Sequence, residues 1–368
     1  MKKEKKKRVP VQMNTEPLPI PEDEIWTYRI EGLQAPRIGV SHAHSTGKKI
    51  AVVVSLVIAI SLSVFFSIQT IRRDTFQYKE TESGWMLTKF SNPGDMTELT
   101  IDCVDGDPSK PVTALREYFL NCDEMLRTVH IGASVTEIDC KSFYSCWKLQ
   151  TITVDENNPA YCDIDGVLYT KDKHEILCCP IDRDEYLRAK CGYEQELWPD
   201  DPAYSEDYVR NVQTYRLPAE TTIIGKLAFN YANIADVYLP EGLETIETMA
   251  FFRCTSLRNV YTDDNGRVYP SIPDSVTYIG SDAFSYDQAL TYVFIPKNVT
   301  YIGHHAFWDT VYKDDGALAG VTELHIEADE AAFRQNVHTG DQWSPRYDYM
   351  LFFKSVPIVY GAERTETP

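Results

Sequence analysis

Tyr238, Tyr261 and Phe294 each stand third in a short stretch where apolar residues alternate with others: Asp236-Val237-Tyr238-Leu239, Asn259-Val260-Tyr261-Thr262 and Tyr292-Val293-Phe294-Ile295. A period of two is the pattern of a strand with one buried face, so the valines are expected to point inward and the rings outward. The stretches Glu323-Leu324-His325-Ile326, Thr128-Val129-His130-Ile131 and Thr151-Ile152-Thr153-Val154 fit the same pattern. Laid side by side as parallel strands about 4.8 Å apart, they give one outward column containing Tyr238, Tyr261, Phe294 and His325. A second column beside it holds Asp236, Asn259, Tyr292 and Glu323. The chemistry on offer is recognition: an aromatic strip about 10 Å long, flanked by Asp236 and Glu323, presents the kind of side chain that dominates binding hot spots. The same rings would also steady the ladder by stacking on one another without binding anything. The candidate ligand-binding set is Tyr238, Tyr261, Phe294, Asp236, Tyr292, Glu323 and His325.

Groups suited to bond-making chemistry are scattered. The eight His residues include no H-E-x-x-H, and the chain has neither G-x-S-x-G nor G-x-G-x-x-G. Ser45-Thr46-Gly47-Lys48-Lys49 lacks the first Gly and the final Ser/Thr of a phosphate loop. His304-His305 falls in an exposed turn. The acidic strings Asp163-Ile164-Asp165-Gly166, Asp263-Asp264-Asn265-Gly266 and Asp314-Asp315-Gly316 lack the spacing of a calcium loop and read as turns. No enzyme, cofactor or metal is expected. A lone glycosylation sequon, Asn298-Val299-Thr300, matters only in a eukaryotic secretory pathway. Of nine cysteines, Cys122, Cys146 and Cys254 share one place in the repeat described next, which makes them small buried hydrophobes. The remaining six show no C-x-x-C; Cys162 with Cys178 or Cys179 is the one pairing considered for a disulfide.

What positions the columns is an internal repeat. Val135, Ile138, Phe143, Cys146, Leu149, Ile152 and Val154 set a ruler that also fits Leu243, Ile246, Phe251, Cys254, Leu257 and Val260, and again Val276, Ile279, Phe284, Leu290, Val293 and Ile295. Weaker copies run through Phe119, Cys122, Leu126, Val129 and Ile131, through Ile224, Phe229, Ile234, Val237 and Leu239, and from Val299 to Ile326. About six coils follow, each sending one L-x-x-V-x-I strand into a parallel sheet. From Val276 to Val299 the period is 23 residues, within the range of leucine-rich repeats.

The strings IGASVTEIDCKSFYSCWKLQTITV and IPDSVTYIGSDAFSYDQALTYVFIP resemble the repeats of BspA-like leucine-rich-repeat surface proteins. The resemblance covers about residues 97–360. It implies a mostly β, α/β repeat solenoid with a β-hairpin insertion at 154–180, turning at Lys171-Asp172-Lys173-His174, and a C-terminal cap of a short helix and a strand at 327–360. A charged insertion at 181–213 and the interrupted last repeat depart from the family pattern. The function implied is cell-surface display with adhesion to, or binding of, a protein or glycan ligand; catalysis is not implied.

Topology rests on the 22-residue run from Ile50 to Ile71, which lacks charge, Pro and Gly and as a helix would reach about 33 Å, enough to cross a bilayer. Residues 1–49 carry ten Lys/Arg against six Asp/Glu, with KKEKKKR at 2–8, so this tail is expected in the cytoplasm. Residues 72–96 would form a juxtamembrane segment, and the C-terminal part would lie outside the cell. From residue 74 onward 24 basic residues face 49 acidic ones, a balance that argues against nucleic-acid binding. The functional expectation is a membrane-anchored adhesive or ligand-binding surface protein; the alternative is an envelope sensing or assembly subunit whose tail reports inside.

Overall fold

The computed structural model describes residues 75–365 except 93, 95, 121–124, 145, 198–200, 202, 309–319, 341–345, 348–353, 356 and 357. The basic tail and the run from Ile50 to Ile71 lie outside the described residues. Among those described, no helix is long and apolar enough to cross a membrane.

The fold is built from successive repeats, mostly β with few helices, as a leucine-rich-repeat pattern leads one to expect. Most repeats contribute two strands. The L-x-x-V-x-I stretch makes the longer strand, and the earlier V-x-x-I stretch makes a strand of two residues. The short strands Ile223–Ile224, Thr245–Ile246, Tyr278–Ile279, Tyr301–Ile302 and His338–Thr339 pair in parallel, one coil to the next. Immediately after Ile279 and Ile302 comes a tight crossing. A Cβ on Gly280 would sit 2.4 Å from the Thr248 nitrogen, and one on Gly303 2.3 Å from the Ser281 nitrogen, so only glycine lets these coils approach.

The repeat-ruler residues form the core. Leu149, Ile152, Leu243, Ile246, Phe251, Cys254, Leu257, Val276, Ile279, Phe284, Leu290, Val293 and Ile295 are all buried. Phe229, Phe251, Phe284 and Phe307 stack face to face along the repeats, with ring centres 4.9, 5.0 and 5.4 Å apart. Each stacked Phe in the middle copies is flanked by left-handed residues two places to either side: Leu227 and Tyr231, Met249 and Arg253, Asp282 and Tyr286. The alternation turns every second N–H toward the next coil. Phe229 N donates to Ala250 O at 2.8 Å, and Phe251 N to Ala283 O at 2.8 Å. These inter-coil bonds offset a left-handed conformation that costs roughly 1–2 kcal/mol per residue.

The long strands do not make one sheet. They form three groups: Glu98–Ile101, Thr128–Ile131 and Thr151–Val154; then Thr214–Arg216, Asp236–Pro240 and Asn259–Asp264; then Tyr292–Ile295, Glu323–Ile326 and Ile358–Tyr360. Antiparallel additions occupy both gaps. At the first, the chain makes a three-stranded meander of Tyr161–Ile164, Val167–Thr170 and Glu175–Cys178, and Ile152 N donates to Gly166 O at 2.9 Å. The expected hairpin is therefore larger by a strand, which pairs in parallel with Ile223–Ile224 and opens the short ladder. Cys162, Cys178 and Cys179 carry free thiols in the structure, without the disulfide considered there. At the second gap, Asn259–Asp264 folds back on Arg267–Tyr269 through Asn265-Gly266, whose φ values of 51° and 92° suit the two-residue hairpin turn.

The ends are covered. Phe76–Thr81 and Gly84–Phe90 form a hairpin whose second strand pairs in parallel with Asp107–Leu115, so the repeat unit begins upstream of residue 97. The helix Glu330–Asn336, N-capped by the Asp329 carboxylate, buries Phe333 at the other end. The charged insertion has a small core of its own: Leu187 from the helix Arg183–Cys191, with Leu197, Tyr208 and Val212. Asn233 ties it to the repeats by donating to Asp184 at 3.0 Å.

Candidate functional site

The middle group of long strands carries the groove that best fits the outward columns. Asp236 pairs in register with Asn259 and Tyr238 with Tyr261, as the repeat ruler predicts. The Tyr238 and Tyr261 rings stack 4.9 Å apart with planes 26° from parallel. Asn259 Nδ2 donates to Asp236 Oδ1 at 2.7 Å. The groove here has a volume of about 790 Å³, within the range of ligand sites. Its far wall is the stretch Tyr204 to Arg210 of the charged insertion. That wall is held by three local bonds. Ser205 Oγ accepts from Tyr208 N at 3.2 Å, Tyr208 Oη accepts from Leu197 N at 3.2 Å, and Tyr204 Oη donates to Gln213 Oε1 at 2.9 Å.

The remaining predicted site residues are elsewhere. Phe294 is 1% exposed, so it is covered and offers no surface to a ligand, and its carbonyl accepts from Ile272 N at 3.1 Å. The hairpin strand Arg267–Tyr269 stands beside Asn259–Asp264 where Tyr292–Ile295 was expected, so the strip of three rings ends at Tyr261. Tyr292, Glu323 and His325 belong to the last group of strands: the Tyr292 and His325 rings lie 5.1 Å apart, and His325 Nε2 meets Glu323 Oε1 at 2.6 Å. An uninterrupted row of three rings does exist on the short ladder, where Tyr278 stacks on Tyr301 at 4.7 Å and Tyr301 on His338 at 5.6 Å. None of the described cavities is lined by that row.

Three residues of the groove were not foreseen. Arg216 lies 3.8 Å from the centre of the Tyr238 ring and pairs with Asp263. Arg258 faces the Tyr204 ring at 5.8 Å. The signal for Arg216 was present, since Tyr215-Arg216-Leu217-Pro218 repeats Val237-Tyr238-Leu239-Pro240 and marks one more strand of the array. Nothing in the repeat marks Tyr204, which comes from outside it.

Burial and the neighbouring Asp236 carboxylate push the Tyr238 and Tyr261 hydroxyls above the ordinary phenol value, and burial does the same at Tyr204. All three remain protonated at neutral pH and serve as hydrogen-bond donors and acceptors. A second groove of about 600 Å³, on the first group of strands, brings together Cys103, His130, Thr153 and Asp155. Burial and Asp102 raise the Cys103 thiol, the reverse of what a nucleophilic thiolate needs. His130 Nδ1 is engaged with Thr153 Oγ1 at 2.5 Å. Among the described residues no group of three or more His, Cys, Asp or Glu side chains is placed to hold a metal ion.

No curated protein matches the chain. Among solved structures, a leucine-rich repeat protein from Eubacterium ventriosum is similar at 15% identity and TM-score 0.36, covering 74% of this chain and 83% of that one. A leucine rich cell surface protein from Faecalibacterium prausnitzii is 18% identical with TM-score 0.30, covering 72% and 92%. The T. pallidum leucine rich repeat protein is 18% identical with TM-score 0.29, covering 74% and 81%. The family model described as the BspA type leucine rich repeat region matches six copies over residues 57–162 and 207–314, more than half of the chain. The chain belongs to the BspA-type leucine-rich-repeat family.

Proposed function

We propose that this protein is a membrane-anchored surface protein that binds a protein or glycan ligand in the groove formed by Thr214–Arg216, Asp236–Pro240, Asn259–Asp264 and the charged insertion. The observation that carries it is the groove itself: aligned Asp236/Asn259 and Tyr238/Tyr261 pairs with a wall supplied from outside the repeat. Membership of a family of binding rather than catalytic repeats supports the same reading. In it, the coils act as a solenoid that holds the groove rigid. The run from Ile50 to Ile71 is the anchor, with the basic tail inside the cell and the repeats outside.

The test is an array of glycans and extracellular proteins probed with the full-length chain in detergent micelles. Tyr238→Ser with Tyr261→Ser should abolish the signal while leaving the thermal melt nearly in place, and an undiminished signal would move the binding face elsewhere. For the anchor, removal of residues 50–71 should release the chain from carbonate-washed membranes; retention would contradict it.

A further inference from the structure

We propose that the groove selects an acidic saccharide, with Arg258 holding the sugar carboxylate and Asp236, Asn259 and the tyrosine hydroxyls holding its hydroxyl groups; this rests on the groove being the binding face. Arg258 is the starting point. Of the three arginines lining the groove, Arg210 is paired with Asp207 and Arg216 with Asp263. Arg258 is partly buried, forms no ion pair with a described residue, and has a buried Nε without an acceptor. A half-desolvated cation without a counter-charge gains most from an anion, and the guanidinium fork matches a carboxylate through its terminal nitrogens.

The rest of the groove suits a ligand rich in hydroxyls. Both faces of the Tyr238 ring are taken, one by Arg216 at 3.8 Å and the other by Tyr261 at 4.9 Å. The ligand therefore meets ring edges and phenol hydroxyls rather than a flat apolar platform. Asp236 forms no ion pair with a described residue, and it keeps lone pairs beyond the bond from Asn259, which suits it to accept from a sugar hydroxyl. An acidic peptide fits less well. A run of its side chains would bring carboxylates against Asp236 and Glu206, and among the aliphatic side chains of the lining only Val209 and Ala289 offer an anchor. A uronic acid brings one carboxylate per ring together with hydroxyl donors.

The probes are trigalacturonate and a hyaluronan tetrasaccharide, titrated calorimetrically into the full-length chain in micelles beside a neutral galactose trisaccharide and a tetraglutamate peptide. At least one acidic sugar should bind about tenfold or more tighter than the neutral one, as loss of a charge-assisted hydrogen bond implies, and its affinity should fall as salt rises. Arg258→Gln should remove that preference, with Arg258→Lys restoring part of it, and both variants should melt like the parent. Equal binding of the neutral trisaccharide, or an unchanged preference in Arg258→Gln, would overturn the role of Arg258. Binding of tetraglutamate alone, or of none of the four, would overturn the saccharide assignment. The groove as binding face is judged separately, by whether Tyr238→Ser with Tyr261→Ser abolishes whatever signal the array gives.

Discussion

Phe251 shows how a single side chain sets the register. It is fully buried and stacked between Phe229 and Phe284 at 4.9 and 5.0 Å. Phe251→Ala should therefore cost about 3–5 kcal/mol, as large-to-small changes in a packed core do; a urea midpoint that stays put would contradict the register. The Phe place was legible because burial imposes the same residue type there in coil after coil, whereas the Cys place holds Ala232 or Asp287 in other copies. Cys254 nevertheless does more than fill space, since its thiol donates to Phe229 O at 2.9 Å. Asp182, at the start of the insertion, was not legible at all: its burial depends on how the insertion packs, which no repeat or motif marks. Burial and a proton shared with Glu185 push its carboxyl up to about 7 from the ordinary 3.8. The native state then keeps a proton that the unfolded chain has released, so stability is fullest at low pH and falls as pH rises toward about 7. Glu185, held below its ordinary value chiefly by the hydrogen bond from Asp182, contributes in the opposite sense at lower pH. Melting Asp182→Asn across pH 4 to 8 should show a flatter profile and a higher Tm than the parent at the alkaline end; parallel profiles would refute the assignment.

At the scale of elements, the decisive feature is the Asn265-Gly266 hairpin. Alternating valines announced the long strands, and Asp263-Asp264-Asn265-Gly266 announced a turn. The three-residue return strand Arg267–Tyr269 is too short for its alternation to stand out, so its replacement of the next coil's strand was not legible, and neither was the burial of Phe294. The short ladder was missed for a similar reason, because two-residue strands carry almost no periodicity. Gly266 sits at φ 92°, where a side chain is strained whatever the space around it. Gly266→Val should loosen the hairpin, and amide exchange at 268–272 should accelerate while the 245–260 amides keep their protection. Equal protection throughout would show that the hairpin does not depend on this turn.

For the molecule as a whole, the repeat period and the acidic balance were legible, since both are sums over many residues and tolerate local errors. The groove was only half legible. Its floor repeats with the coils, whereas its wall is an insertion folded around its own core of Leu187, Leu197, Tyr208 and Val212. Two aromatic faces result: the groove with Tyr238 and Tyr261, and the row of Tyr278, Tyr301 and His338 on the short ladder, which lines none of the described cavities. Aromatic stacking is common to both; the groove alone adds an insertion wall and Arg258, which forms no ion pair with a described residue. The most direct measurement is therefore a side-by-side titration of the strongest array ligand against the full-length parent, Tyr238→Ser with Tyr261→Ser, and Tyr278→Ser with Tyr301→Ser. Binding should disappear in the first double variant and stay within about twofold of the parent in the second, a difference below 0.5 kcal/mol. Loss in the second with retention in the first would place the binding face on the short ladder and contradict the account.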